Sequence, residues 1–222
     1  MPYSKLASPL PGTLVALNTH EVLVDWAPAR SREQAAKFSR LRRQQFLAGR
    51  GAASQALMAL THVSSDVPRG ESGAPVWPAG VAGSIAHDPE HAVALVGWRR
   101  DWLALGVDVE SDRALEEDAA EIVLSDIERA AVAAPGEPLR YGRLVFGAKE
   151  CVHKAIHPLC NVWLDFEEVA IGISDPSQKE GLWTPRALSG PARAAFAGLR
   201  FTGRWQRHNG KLISYLGVQP AA

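Results

Sequence analysis

Cysteine is almost missing from these 222 residues: only Cys151 and Cys160 occur. Two isolated cysteines build neither a disulfide scaffold nor a zinc cluster, so reduced thiols and a cytoplasmic setting are expected. Net charge is lacking too, because 24 basic residues balance 24 acidic ones. A chain without excess positive charge is poorly suited to general nucleic-acid or anionic-membrane binding. Long apolar runs are also absent. Residues 92–98 and 102–107 fall far short of the ~20 that a membrane span needs. The opening Met1-Pro2-Tyr3-Ser4-Lys5 shows no sustained apolar stretch of a secretory leader. What is present is ordinary: 46% hydrophobic and 22% charged residues, enough to build a real core and to exclude wholesale disorder.

The balanced charge is segregated. Arg30, Arg32, Lys37, Arg40, Arg42, Arg43 and Arg50 are interrupted by one acid, Glu33. The stretch from Asp108 to Glu128 holds nine acids and one base, Arg113. Solvated helix faces account for such runs, and so does a site for an anion and its counter-cation.

Period and punctuation give an α+β class. Residues 13–17 and 21–26 read as strands about an Asn18-Thr19-His20 turn, and 31–60 as a helix. A Gly/Pro/Ser-rich loop follows over 63–81, then strands at 91–96 and 103–110. Acidic helical material runs to about 133, broken by Pro135-Gly136-Glu137-Pro138. A second long helix covers 139–156, stopped by Pro158. Strands are expected at 162–173, 199–207 and 211–218, the last two joined through His208-Asn209-Gly210. No internal sequence repeat is visible.

Three constellations can carry chemistry. In Leu105-Gly106-Val107-Asp108-Val109-Glu110, strand alternation points Asp108 and Glu110 one way and the valines into the core. Paired carboxylates suit Mg²⁺, although a polar strand end facing water has the same pattern. In Phe146-Gly147-Ala148-Lys149-Glu150, Glu150 shares a helix face with Lys154, either as a surface ion pair or as a metal or proton site beside a phosphate-binding lysine. The glycines of Gly73-Ala74-Pro75 and of Gly80-Val81-Ala82-Gly83-Ser84-Ile85-Ala86-His87 allow close backbone approach to a phosphate, with His87 as a further donor. Other matches fail: Ser84 sits in no nucleophile elbow, and His153/His157 lack the glutamate of a zinc-protease motif.

Taken in order, Arg42-Arg43 with Arg50, Gly73 to His87, Gly106 to Glu110, and Phe146 to Glu150 with Lys154 resemble the 4′-phosphopantetheinyl transferases, in particular the branch of enterobactin synthetase component D. The resemblance covers about residues 40–160, with a weaker echo at Phe201-Thr202-Gly203-Arg204-Trp205. It implies transfer of the phosphopantetheine arm of coenzyme A (CoA) to a serine of an acyl or peptidyl carrier protein. Adenosine 3′,5′-bisphosphate is released. It implies a monomeric pseudodimer of two α+β halves, 1–104 and 105–222, each a small antiparallel sheet on a long helix. CoA and Mg²⁺ would lie in the cleft between them.

On that resemblance Asp108, Glu110 and Glu150 are the metal carboxylates. Arg42, Arg43, Arg50, Gly73, Ala74, Pro75, Ala86, His87 and Lys154 form the CoA side, and Asp108, Glu150 and Lys154 serve catalysis. Departures fall at Ala86, where a hydroxyl residue is usual and one phosphate donor is thereby lost. Others are Gly147 for serine, His153 for an aromatic and Ser54 for a basic residue. A Mg²⁺-dependent phosphohydrolase or a non-catalytic CoA- or carrier-binding module would use much the same residues.

Overall fold

The computed structural model describes residues 6–70, 73–132 and 138–221. Two antiparallel sheets form. The first, in order β1-β3-β2, joins β1 (Thr13–Thr19), β2 (Val81–His87) and β3 (His91–Trp98). The second runs β4-β8-β7-β6-β5, with β4 at Ala104–Ser111, β5 at Val169–Ile173 and β6 at Glu180–Ala187. Its remaining strands are β7 (Leu199–His208) and β8 (Lys211–Pro220). Asn209 and Gly210, both at positive φ, close the β7–β8 hairpin as a tight two-residue turn demands. Among the described residues no helix is long and apolar enough to cross a membrane.

Residues 21–26 do not form the expected strand. After Thr19 pairs with His91, the chain coils into α1 (His20–Val24). Gly51 explains why: a Cβ there would stand 1.8 Å from the Leu23 carbonyl oxygen, so only glycine lets α1 lie directly on the next long helix. The expected helix over 31–60 is two, α2 (Ala29–Ala35) and α3 (Arg40–Thr61). Residues 81–87 are strand β2 rather than a phosphate loop, and Gly83 serves packing, since a Cβ there would lie 2.6 Å from the Trp77 ring.

The acidic stretch forms α4 (Glu117–Val123) and α5 (Asp126–Val132), followed by α6 (Pro138–Cys160). The helix carries Pro158 within it and closes at Asn161, a positive-φ residue whose amide donates to the His157 carbonyl. The break expected at Pro135-Gly136-Glu137 lies outside the described residues. The expected strand over 162–173 shortens to β5, preceded by a 3₁₀ turn at Phe166–Glu168. Strand β6 and α7 (Gly190–Phe196) were not anticipated.

Glu128 belongs to the core, not to a solvated acidic face. Its carboxylate accepts bonds from the Ser125 amide and hydroxyl and from the Ile171 amide, and pairs at 2.6 Å with Lys149 Nζ. The Lys149 ammonium also donates to the Val123 and Phe166 carbonyls, which uses all three of its protons. Breaking one side of such a buried pair strands a charge, so this pair locks α5 and α6 together.

Candidate active site

Strand β4 lies across α6 in a matched register. Gly106, Asp108 and Glu110 face the helix, and their counterparts are Cys151, Gly147 and Arg143, one helical step of four apart. Two strand residues advance about 6.7 Å and four helical residues about 6 Å, so the two periods run nearly in step. Gly106 is required for the contact, because a Cβ would come within 2.2 Å of the Cys151 carbonyl oxygen. The opposite face, Leu105, Val107 and Val109, is buried with Ala82, Ala86 and Tyr215. The alternation expected for this strand holds, and it delivers both acids to α6.

Lys154 Nζ stands 2.6 Å from Asp108 Oδ1 and 3.7 Å from Glu150 Oε2. The two carboxylates hold its ammonium above the usual lysine range against the effect of burial. Burial, and next to it Asp108, pushes Glu110 up to about 7, with the Arg143 guanidinium 3.0 Å away opposing them. Burial likewise raises Glu150, offset by Lys154 and reinforced by Asp108. Asp108 Oδ2 is buried without a hydrogen-bond partner. Among the described residues, no three His, Cys, Asp or Glu side chains are arranged to hold a metal ion. The three acids are thus neighbours, with cationic side chains interposed: Lys154 bridges two of them and Arg143 engages the third.

On the other wall, β2 directs Gly83, Ile85 and His87 to the α3 side and Ala82, Ser84 and Ala86 toward β4. The Ala86 methyl therefore sits in the apolar cluster with Val107 and Val109 and points away from the α3 side. Burial brings His87 down to about 4, helped by Arg42, His20 and Lys154, so the ring is neutral at neutral pH. Both Arg42 and Lys154 are near enough to disfavour a charge on the ring.

Arg50 is buried over the Phe46 ring at 4.5 Å, with Nε unpartnered. Burial lowers it to about 10, still charged at neutral pH, with Asp66 opposing and Arg42 and Arg69 assisting. Arg43 differs, since its Nε and Nη2 donate to the Ala35 and Ala36 carbonyls at the end of α2. Gly73, at φ +89°, lies under the Arg69 guanidinium, and the adjoining Ala74 and Pro75 line a cavity of about 490 Å³ with Lys154 and Trp163. A second cavity of about 220 Å³, walled by Val152, Trp163, Leu164 and Phe166, opens beside Glu150. His153 lines both, its ring 4.0 Å from that of Trp163.

Sequence reasoning missed Arg143, Ser84 and Lys211. Arg143 carries the one available signal, lying two helical turns before Glu150. It donates to Glu110, Glu116 and the Ala114 carbonyl. Ser84 Oγ accepts a hydrogen bond from the Val107 amide at 3.1 Å.

Residues 30–97 match the family described as the 4'-phosphopantetheinyl transferase N-terminal domain, and 104–202 the 4'-phosphopantetheinyl transferase superfamily. The chain is 34% identical over 185 residues to 4'-phosphopantetheinyl transferase Npt of Nocardia iowensis, covering 81% of this chain and 83% of Npt. It is 30% identical over 184 residues to 4'-phosphopantetheinyl transferase PptT of Mycobacterium tuberculosis, 78% of each chain. Enterobactin synthase component D of Salmonella typhi is 36% identical over 144 residues, 63% of this chain and 58% of that protein.

Proposed function

Since the chain belongs to the 4′-phosphopantetheinyl transferases, an enzyme family that moves the phosphopantetheine arm of CoA to a carrier protein, we propose how its own residues divide that work. The observation that carries the proposal is the shared neighbourhood of Asp108, Glu150 and Lys154, facing His87 and the arginines of α3. Arg42, Arg50 and His87 take the CoA phosphates, the guanidinium groups through paired hydrogen bonds. Lys154 meets the pyrophosphate, with Gly73, Ala74 and Pro75 flanking it along the larger cavity. The apolar cavity beside Glu150 receives the phosphopantetheine arm.

The donor set suits a hard cation. Asp108, Glu110 and Glu150 would hold Mg²⁺ through hard oxygen donors, and Asp108 Oδ2 is buried there without a hydrogen-bond partner. Bound there, the ion would neutralise pyrophosphate charge that otherwise repels a nucleophile. Glu150, its carboxyl raised above the usual carboxylate range by burial, accepts the proton of the carrier serine.

Two halves, 1–104 and 105–222, each provide one sheet and one long helix, α3 or α6, and act as a pseudodimer within a monomer. The free thiols and the CoA requirement suit a cytoplasmic enzyme. Incubation of the native chain with CoA, Mg²⁺ and an apo carrier protein tests the reading. The carrier gains the mass of one phosphopantetheine. Steady bisphosphate release with carrier omitted would mean hydrolysis instead.

A further inference from the structure

The seam between the two sheets is tied at two points, and they bracket the site. Ser84 on β2 accepts the Val107 amide of β4, one residue before Asp108. Asp88, immediately after His87, takes Lys211 Nζ at 2.6 Å, and both side chains are buried in this contact. Lys211 opens β8, where its register partner on β4 is Ser111, one residue after Glu110. The second Asp88 oxygen accepts the Glu90 and His91 amides, so the carboxylate also shapes the turn that ends the His87 strand. Glu90 lies 3.3 Å from the same ammonium on its exposed side.

The rest of the seam is apolar: Ala82 and Ala86 against Leu105, Val107 and Val109. Apolar burial is non-directional and tolerates sliding, whereas a buried charge pair with its hydrogen bonds satisfied fixes one register. We propose that Lys211 is a positioning residue: through Asp88 it sets the spacing between His87 and the Asp108–Glu110 strand. It touches neither CoA nor carrier. This inference rests on the transferase reading, because only a reaction spanning both walls depends on that spacing.

The expected effect falls on turnover rather than binding. CoA phosphates remain on His87 and the α3 arginines, while the pyrophosphate is displaced from the carboxylates, and misplacement by about 1 Å can cost on the order of 100-fold in rate. The test compares native protein with Lys211→Met, Lys211→Arg and Ser84→Ala, all assayed well below their melting temperatures. Carrier modification gives kcat and KM, calorimetry gives CoA affinity, and amide exchange at Val107 reports the seam without reference to activity.

Lys211→Met is expected to lower kcat about 10- to 100-fold, with CoA affinity changed less than about threefold and Val107 exchange accelerated. Lys211→Arg restores most of kcat, and Ser84→Ala shows a milder version of the same split. Lys211→Met that is less stable but turns over at the native rate overturns the inference and leaves the pair a purely structural one. A native chain that leaves the carrier unmodified, with the Val107 effect still present, overturns the transferase reading instead.

Discussion

Lys154 reaches Asp108 at 2.6 Å from a point 46 residues further along the chain, and so it holds a helix-borne cation against a strand-borne acid. Glu150, one turn before it, shares that cation at 3.7 Å. Lys154→Met removes the group that offsets burial at Glu150, so the Glu150 carboxyl rises further. Activity is expected to fall by about two orders of magnitude, within the range for loss of acid–base support. The acid limb of the pH–rate profile moves to higher pH. A pH–kcat profile of the variant checks both, and an unmoved limb would contradict the coupling.

Glu110 gives the apo protein a characteristic pH dependence. Its folded carboxyl titrates near 7 against 4.5 in an open chain, so between these values the folded state binds a proton that the unfolded state lacks. Stability therefore falls as pH rises through this window. His87 contributes the opposite slope over much of the same range, so the expected outcome is a difference: from pH 4.5 to 7.5 the native chain loses thermal stability relative to Glu110→Gln.

His87 has the opposite sign. Its folded value near 4 lies below the open-chain 6.5, so stability is lost as pH falls from 6.5 toward 4. A phosphate favours the imidazolium. CoA binding at pH 6 is thus expected to take up a proton, seen as calorimetric enthalpies that change with buffer ionisation heat. His87→Gln should remove that uptake.

Gly106→Ala tests the packing that presents the acids. A methyl 2.2 Å from the Cys151 carbonyl oxygen must push β4 off α6. The expected cost is about 3 kcal/mol in denaturant unfolding, the upper range for overpacking a core. Turnover falls too, because Asp108 and Glu110 move with the strand.

Strands β3, β4, β7 and β8 were legible because alternation and an Asn-Gly turn act over a few residues. So was the face shared by Glu150 and Lys154. Residues 21–26 misled because α1 exists only where Gly51 leaves room for the Leu23 carbonyl, a long-range contact. Strand β2 was obscured by Gly83, a residue selected by the Trp77 ring. The partners of Arg143 and Lys211, Glu110 and Asp88, lie far off in the chain, so sequence offered nothing for Lys211 and only the helical phase with Glu150 for Arg143. Glu128 looked solvated amid acidic neighbours, and only the fold brings Lys149 to it.

The account stands or falls on Asp108 and Glu150 acting on the pyrophosphate of CoA. The direct measurement is carrier mass after incubation of the Asp108→Ala/Glu150→Ala double variant with CoA and Mg²⁺, once circular dichroism has shown it folded. The account predicts an unmodified carrier under conditions where the native chain modifies all of it. A carrier bearing phosphopantetheine at the native rate would contradict it.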